Sequence, residues 1–410
     1  MIVKQYIKDF ENLGFGMFVH FGLYSMIGLG EWGKKLWNIP DDEYYELFNK
    51  FDPKPDWAEK LVSMAKGAGC KYITLTTRHH DGFSLFDTCG LNDYDSMHAK
   101  CGRDLVREFV DACRKENIIP FFYHTLLDWH EKSYYTDFKS YLCYLRKSVE
   151  ILCTNYGKIG GIWFDGMWDK RDEDWEEDEL YATIRRHQPD AMIINNTGLS
   201  RRGKLGHIEL DSVTFERGKP EKINIEDSAK YVASEMCEVT GRNWGYAKDN
   251  ITYKSPNLLI EELAFCRRYK ANFLLNIGPM GDGSITNMDA AIFEIIEKWM
   301  HYNKEAIGEP KPCGIEIEDN ERDFILKKDD KTYYMFCYDL PMAADTNVDL
   351  FSDVEYLRKF KFDSVIESVE WLDDKAPLSF EQKDGYAYIQ TVPYKYGRNL
   401  IVRVAKITTK

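Results

Sequence analysis

Several short apolar segments of this sequence contain or end in a carboxyl side chain that could take part in chemistry. Asp165 closes the segment GGIWFD, Glu216 closes the segment SVTFE, and Glu235 lies within the segment ASEMCE. We expect Asp165 to be partly buried, because three large apolar residues precede it directly. Hydrolysis of a glycosidic bond needs two carboxyl groups, one as nucleophile and the other as acid and then base. The sequence predicts Asp165 as the nucleophile, with Glu216 or Glu235 as its partner.

Aromatic side chains lie close to these carboxyl candidates. Trp163 is two residues before Asp165, and the period of two in a strand places both side chains on the same side. The apolar face of a sugar ring stacks favourably on such aromatic rings. Further tryptophans are candidates for the same role, although core packing is the ordinary explanation for some of them: Trp32, Trp37, Trp129, Trp168 and Trp244.

Two consecutive histidines, His79 and His80, raise the alternative of a metal-dependent hydrolase with His20 and Asp165 as further ligands. Adjacent residues of one strand point to opposite faces, so we expect that the two histidines do not reach the same ion. The H-x-H spacing that would place two imidazoles on one face is absent from the sequence. We therefore predict a site without a metal ion or cofactor.

Composition and charge argue against some classes of partner. The formal net charge of the 410 residues is −14, whereas nucleic acids and anionic membranes select basic surfaces. Acidic Asp9 and Glu11 come too early for a secretory signal, and the sequence has no run of about 18 apolar residues. We expect a cytoplasmic protein that binds neither nucleic acid nor membrane. Its ten cysteines form no C-x-x-C pair and are expected to be free, mostly buried thiols.

Short apolar segments alternate with amphipathic segments, such as Trp57–Lys66, from residue 15 to about residue 300. This alternation predicts a parallel α/β fold, and a closed (β/α)8-like barrel is its simplest form. The first segment runs into HFGLYS and not into a glycine-rich phosphate turn, which disfavours a doubly wound open sheet. In a barrel, the candidate residues would meet at the C-terminal ends of the strands. The predicted strands are Phe15–His20, Tyr72–Thr77, Ile118–His124, Gly161–Asp165, Met192–Asn196, Ser212–Glu216, Ala233–Glu238 and Phe273–Ile277.

The pattern changes after about residue 308. Two prolines in Glu309–Pro312 are followed by short alternating segments separated by charged turns, which predicts an antiparallel β-sandwich. We therefore predict a catalytic barrel over residues 1–308 and a β-sandwich domain over residues 309–410. The predicted strands of the second domain are Asp323–Lys327, Lys331–Cys337, Ser364–Trp371, Tyr386–Gln390 and Leu400–Val404.

Seven motifs follow one another through most of residues 14–300: HFGLYS (His20–Ser25), EW (Glu31–Trp32), TTRHHDGFSLFDT (Thr76–Thr88), LLDWH (Leu126–His130), IWFDG (Ile162–Gly166), NWGY (Asn243–Tyr246) and NFLLNIGPMGDG (Asn272–Gly283). In this order they closely resemble the α-L-fucosidases of glycoside hydrolase family 29. The third and the last motif are the most specific. The family's architecture, a (β/α)8-like barrel followed by a C-terminal β-sandwich, agrees with the one predicted from periodicity.

The resemblance implies a retaining exo-α-L-fucosidase with Asp165 as the nucleophile. It implies Glu216 as the acid/base, because this glutamate lies five residues after Asp211, as in the family's corresponding segment. Glu235 is less favoured, because Ser234 stands where many relatives have a tryptophan. The family's fucose-binding positions fall on His20, Glu31, Trp32, His79, His80, Tyr123 and Trp163.

One departure from the family pattern concerns an arginine that contacts the sugar in some relatives. This chain reads Asn195-Asn196-Thr197 there, and the candidate substitutes are Arg201, Arg202 and Arg217. The expected partner is a fucosylated oligosaccharide or glycoconjugate. The alternatives are a catalytically impaired fucose-binding protein on the same fold, a metal-dependent barrel hydrolase, and a glycosidase for another sugar such as an α-L-galactoside.

Overall fold

A computed structural model of the protein describes residues 3–197, 205–224, 230–342 and 356–410. The chain divides into two compact units. The first consists of Met1–Lys254 and Asn272–Glu294, and the second of Ser255–Ala271 and Ile295–Lys410. The domain boundary between residues 308 and 309 stays a prediction.

The first unit contains a closed barrel of eight parallel strands in sequence order, which confirms the predicted fold class. The last strand pairs with the first, for example through Phe273 opposite Phe15, and this pairing closes the barrel. The first and last residue of each barrel strand lie within one residue of the predicted positions. The prediction succeeds because strands that are buried on both faces have nearly uninterrupted apolar sequences. The strands are β1 (Phe15–Val19), β2 (Tyr72–Arg78), β3 (Ile119–Thr125), β4 (Gly161–Asp165), β5 (Met192–Asn195), β6 (Ser212–Glu216), β7 (Ala233–Val239) and β8 (Asn272–Ile277).

Helices connect most of these strands, and their apolar faces are buried. Asp104 begins one of them, since its side chain accepts a hydrogen bond from the backbone N–H of Arg107. The predicted segment Trp57–Lys66 lies within an observed helix. The helices are α1 (Gln5–Glu11), α2 (Tyr24–Ile27), α3 (Gly33–Leu36), α4 (Asp41–Tyr45), α5 (Trp57–Gly67), α6 (Leu105–Lys115), α7 (Ser133–Thr136), α8 (Phe138–Asn155), α9 (Glu177–His187), α10 (Pro256–Arg268) and α11 (Asn287–Asn303).

Large aromatic side chains fill the interior of the barrel. Phe18, Tyr72, Phe121, Tyr123 and Trp163 belong to one buried cluster. The ring of Tyr72 fits because β1 has a glycine at residue 16, where a Cβ would lie 2.4 Å from that ring. The barrel interior is therefore a packed core, and it supports the side chains at the C-terminal ends of the strands.

The second unit contains two antiparallel sheets, and their shared core confirms the predicted β-sandwich. The five-stranded sheet contributes Met335, Trp371 and Ile407 to this core, and the three-stranded sheet contributes Phe360 and Ile389. The strands are β9 (Lys311–Pro312), β10 (Phe324–Asp329), β11 (Thr332–Cys337), β12 (Leu357–Lys361), β13 (Ile366–Trp371), β14 (Phe380–Lys383), β15 (Tyr386–Gln390) and β16 (Arg403–Thr409).

The predicted strand Leu400–Val404 was misplaced. The observed strand β16 begins at Arg403 and continues to Thr409, between β13 and β11 in the five-stranded sheet. Its C-terminal half alternates buried and partly exposed residues. Because Lys406 and the two threonines are polar, the sequence of this half does not show the apolar alternation that predicts a strand.

Two further sequence-based expectations concern the whole chain. All ten cysteines are free, and six of them are buried. Within the described residues, no helix is both long enough and apolar enough to cross a lipid bilayer.

Candidate active site

A cavity of about 240 Å³ opens at the C-terminal ends of the barrel strands. Nine of the residues predicted as catalytic or sugar-binding line it, and Glu235 does not. Trp168 and Trp244 also line it, whereas Trp37 and Trp129 do not. Among the described residues, the lining consists of Phe18, His20, Glu31, Trp32, His79, His80, Tyr123, Trp163, Asp165, Trp168, Asn196, Glu216 and Trp244.

Sequence reasoning did not select two lining residues, Phe18 and Asn196, as sugar contacts. Phe18 reads as an ordinary core residue of β1. Asn196 directly follows β5, and its position at the end of a strand was the available signal.

Asp165 is the last residue of β4, and Gly166 turns the chain away from the strand with a φ of 98°. A Cβ at Gly166 would lie 2.7 Å from the Cβ of Leu127, so this turn requires glycine. The carboxylate accepts a hydrogen bond from the Tyr123 hydroxyl at 3.1 Å and one from Asn196 Nδ2 at 3.2 Å. Burial raises the pKa of Asp165, while these two donors oppose the rise by stabilising the charged form.

Glu216 ends β6 and faces Asp165 across the cavity. Asn196 Nδ2 donates to Glu216 Oε2 at 2.8 Å as well as to Asp165 Oδ1 at 3.2 Å. Because both oxygens lie at these distances from one nitrogen, they are no more than 6.0 Å apart. The structure thus brings Asp165 and Glu216 together as a pair of carboxyl groups.

Glu235 lies one layer deeper in the barrel, since it is level with Thr214 on the neighbouring strand and Glu216 is level with Cys237. Its side chain is 1% exposed and accepts hydrogen bonds from the Tyr72 hydroxyl and from Trp163 Nε1. Burial raises the pKa of Glu235 to about 7. Glu235, the less favoured candidate for the acid/base, is therefore part of the barrel interior, below the cavity lining.

The imidazole of His20 has a defined tautomer. Asn276 uses its Nδ2 to donate to the Trp244 carbonyl at 2.7 Å, so its Oδ1 faces His20 Nδ1 at 2.6 Å as an acceptor. His20 Nδ1 must then carry the proton, which leaves Nε2 as a hydrogen-bond acceptor. Burial lowers the pKa of His20 to about 3, so the ring is neutral near pH 7.

His79 and His80 both line the cavity, which corrects the expectation that they would face opposite ways. The strand β2 ends at Arg78, so the alternation of a strand does not continue through the two histidines. His80 Nδ1 lies 2.7 Å from Thr125 Oγ1, and Thr125 donates its own proton to the Leu127 carbonyl. His80 Nδ1 is therefore the donor, and burial lowers the pKa of this imidazole to about 3.

The metal-dependent alternative gains no support from this arrangement. Across the described ranges, no three His, Cys, Asp or Glu side chains are grouped so that they could hold a metal ion.

The other ring nitrogen of His80, Nε2, lies 3.6 Å from Asp165 Oδ2. Since Nδ1 carries the proton, Nε2 presents a lone pair toward the cavity.

Glu31 and Trp32 form the rim on the side of the NWGY motif. Glu31 Oε2 accepts hydrogen bonds from the backbone N–H groups of Trp244 and Gly245, at 3.1 and 2.8 Å. A Cβ at Gly245 would lie 2.9 Å from the Glu31 nitrogen, which explains why glycine occupies this position. Trp32 stacks on Trp168 with ring centroids 5.8 Å apart, so the two indoles form one aromatic wall.

Of the predicted substitutes for a sugar-contacting arginine, Arg217 lies in the described part of the chain and does not reach the cavity lining. Arg201 and Arg202 lie outside the described residues. Arg217 stacks over Trp244 at 5.2 Å and donates to the Arg242 carbonyl, and it is not among the lining residues.

Comparison with known proteins agrees with this geometry. Residues 3–305 match the family model for α-L-fucosidase. The chain belongs to the α-L-fucosidase family. This membership makes it a glycoside hydrolase and confirms the resemblance seen in the seven motifs.

Relatives of this α-L-fucosidase family member include mammalian proteins. The mouse tissue α-L-fucosidase is 31% identical over 339 residues, which cover 76% of this chain and 73% of the relative. The bovine tissue α-L-fucosidase is 30% identical over 340 residues, covering 76% of this chain and 70% of the relative.

Solved structures show the same fold over the whole length. The α-L-fucosidase isoenzyme 1 from Paenibacillus thiaminolyticus is similar with a TM-score of 0.84 and 27% identity, covering 99% of each chain. An α-L-fucosidase from Bacteroides thetaiotaomicron shares the fold with a TM-score of 0.82 at 22% identity, covering 100% of this chain and 96% of its own.

Proposed function

We propose that this family member is a retaining exo-α-L-fucosidase that hydrolyses terminal α-L-fucosyl linkages of oligosaccharides or glycoconjugates. The observation that carries the proposal is the pair Asp165 and Glu216, whose two oxygens that accept from Asn196 lie within 6.0 Å of each other. Retaining glycosidases place their two carboxyl groups about 5–5.5 Å apart, whereas inverting enzymes need about 6.5–9.5 Å to fit a water molecule. The bound of 6.0 Å supports double displacement.

In the first step, ionised Asp165 attacks the anomeric carbon, and protonated Glu216 gives its proton to the glycosidic oxygen. The bond between the anomeric carbon and that oxygen breaks through an oxocarbenium-like transition state. The aglycone leaves as an alcohol, and the fucosyl group becomes an ester of Asp165. Donors from Tyr123 and Asn196 stabilise the ionised form of Asp165 and so oppose the rise in its pKa that burial causes.

In the second step, ionised Glu216 takes a proton from water, and the resulting nucleophile attacks the anomeric carbon. The ester bond to Asp165 breaks and returns its electron pair to the carboxylate. L-fucose leaves with retained configuration, and Glu216 is protonated for the next cycle.

The cavity supports recognition of a single terminal sugar. Its volume of about 240 Å³ lies below the range of about 300–1,000 Å³ that is usual for larger ligands. The Nε2 atoms of His20 and His80 are acceptors for sugar hydroxyl groups, since both Nδ1 atoms carry protons. Aromatic rings of Phe18 and Trp163 supply apolar surface for a deoxy-sugar, which bears a methyl group.

The direct test is release of chromophore from para-nitrophenyl α-L-fucoside, alongside the α-L- and β-D-galactosides, with and without a chelator. We expect turnover of the fucoside that a chelator does not reduce, and α-L-fucose as the first anomer by proton NMR. Inhibition by the chelator would favour the metal-dependent hydrolase, and preferred turnover of the α-L-galactoside would favour the other sugar. Failure on both aryl and oligosaccharide fucosides would leave the fucose-binding protein. A β-anomer formed first would contradict retention.

A further inference from the structure

The side chain of Asn196 lies between the two carboxyl groups of the site. Its Nδ2 donates to Asp165 Oδ1 at 3.2 Å and to Glu216 Oε2 at 2.8 Å. A primary amide nitrogen carries two protons, so one group serves both carboxyls at once. Asn196 is 4% exposed, and burial protects these hydrogen bonds from competition with water.

The orientation of this amide is fixed by its surroundings. The Thr214 hydroxyl donates to Asn196 Oδ1 at 3.2 Å, so the carbonyl end of the amide points away from the carboxyls. The backbone N–H of Asn196 donates to the Phe164 carbonyl at 2.8 Å, which ties the residue to the strand that ends in Asp165. Both ends of the side chain are therefore held before a substrate arrives.

We infer that Asn196 is a positioning residue that holds the nucleophile and the acid/base in register and stabilises whichever of them carries the negative charge. This role rests on the proposed function. Before the first step the charge is on Asp165, and after it the charge is on Glu216. A fixed donor between them serves both states without reorganising, which is the property that makes preorganised sites effective.

The same hydrogen bond bears on the oxygen of Glu216 that carries the catalytic proton. Glu216 Oε2 accepts from Asn196, and an oxygen that accepts is disfavoured as the site of the proton. Asn196 therefore disfavours Oε2 as the proton donor to the substrate.

Removing the donor should move both limbs of the pH profile in one direction. A hydrogen bond to the charged form lowers a carboxyl pKa, so its loss raises the pKa of each partner. Other ionisable groups surround the pair: His80 and Tyr123 face Asp165, Cys237 pairs with Glu216 on the adjacent strand, and His20, Glu31 and His79 lie across the cavity. These groups remain unchanged in Asn196→Ala, so a shift in that variant reports the lost donor.

The experiment compares pH profiles of kcat/KM on para-nitrophenyl α-L-fucoside for the unmodified chain, Asn196→Ala and Asn196→Asp. We expect Asn196→Ala to lose about 10–1,000-fold in kcat/KM and to move both limbs to higher pH. Asn196→Asp preserves the shape but replaces the donor with a third carboxyl. It should therefore be worse than alanine, whereas a merely steric role would make it the better tolerated variant.

Two matched controls separate this role from damage to the fold. Asn195→Ala changes the preceding residue, whose Nδ2 donates to Tyr181 outside the cavity lining, and it should leave both limbs in place. Thr214→Val removes the hydroxyl that orients the amide, and Thr214→Ser keeps it. We expect the valine variant to shift in the direction of Asn196→Ala and the serine variant to match the unmodified chain.

The outcomes distinguish a failure of the positioning role from a failure of the proposed function. If the unmodified chain hydrolyses the fucoside and Asn196→Ala keeps its limbs, the positioning role is wrong and the proposed function stands. If Asn196→Asp is more active than Asn196→Ala, the role as donor is also wrong. If the unmodified chain hydrolyses no fucoside, the proposed function itself fails, and this role fails with it.

Discussion

Trp163 Nε1 donates a hydrogen bond to Glu235 Oε1 at 3.0 Å, inside the barrel and below the cavity. Trp163 in turn stacks on Tyr123 with ring centroids 5.7 Å apart. Tyr123 is the residue whose hydroxyl donates to Asp165. The deeper carboxyl of Glu235 therefore supports two aromatic walls of the cavity, whereas Glu216 lines the cavity itself.

This arrangement predicts different outcomes for the two glutamates. Glu216→Ala should lower kcat/KM on a natural fucoside by about 100–10,000-fold, the usual contribution of a general acid/base. Glu235→Gln keeps an acceptor for Trp163 and should cost less than about 10-fold. Added azide should restore turnover of an activated aryl fucoside in Glu216→Ala only, since an anionic nucleophile needs no general base. Rescue of the Glu235 variant instead would reverse the assignment.

Asp165→Asn should lower turnover by at least about 1,000-fold, because the neutral amide cannot form the covalent intermediate. The fold should persist, since Asn has the same shape and can still accept from Tyr123. Thermal unfolding monitored by circular dichroism checks this point. Asp169→Asn, four residues later and outside the cavity lining, is the matched control and should retain activity. A small loss in Asp165→Asn would mean that another carboxyl is the nucleophile.

The stability of the protein should fall as the pH rises through neutrality. Burial raises the pKa of folded Glu235 to about 7, while an unfolded glutamate titrates near about 4.3. The folded state thus favours the protonated form, so this contribution is complete below pH of about 4.3 and is lost as the pH rises through about 7. Its size is about 4 kcal/mol as an order of magnitude.

Urea unfolding at pH 5 and pH 8 measures this effect. Other groups titrate in the same interval, so the informative quantity is the difference between the unmodified chain and Glu235→Gln. We expect the variant, which cannot ionise, to lose less stability at pH 8. An equal loss in both proteins would place the pH dependence elsewhere.

The cavity imidazoles should stay neutral throughout the range in which the enzyme works. Burial lowers the pKa of His20 and of His80 to about 3. Their NMR signals should therefore not titrate between pH 5 and 8. His98 is an internal control, since it is exposed and its hydrogen bond with Asp95 raises its pKa. Titration of His20 near pH 6 would mean that its Nε2 is a donor in the acidic half of that range.

Much of the fold was predictable because each barrel strand carries its signal locally. Segments such as Gly161–Asp165 and Ser212–Glu216 are apolar runs that end in a charge, and their observed bounds equal the predicted ones. The strands β12 (Leu357–Lys361) and β14 (Phe380–Lys383) were missed, because edge strands of the sandwich keep many polar, exposed residues.

The role of Asn196 was not predictable for a different reason. Its partners end β4 and β6, the two strands that pair with β5, and this pairing places both carboxyls beside it. The error about His79 and His80 has a related cause, since alternation ends where β2 ends. The residue types were enough to predict which side chains belong to the site. Which of these side chains contact one another depends on the distances between strands, which the sequence does not give.

The small volume of the cavity has a consequence for the order in which a branched glycan is taken apart. A space of about 240 Å³ matches one terminal residue, so under the proposed exo-action we expect a fucose that itself carries a further substituent to be a poor substrate. We expect turnover of such a glycan only after another hydrolase has removed the capping group.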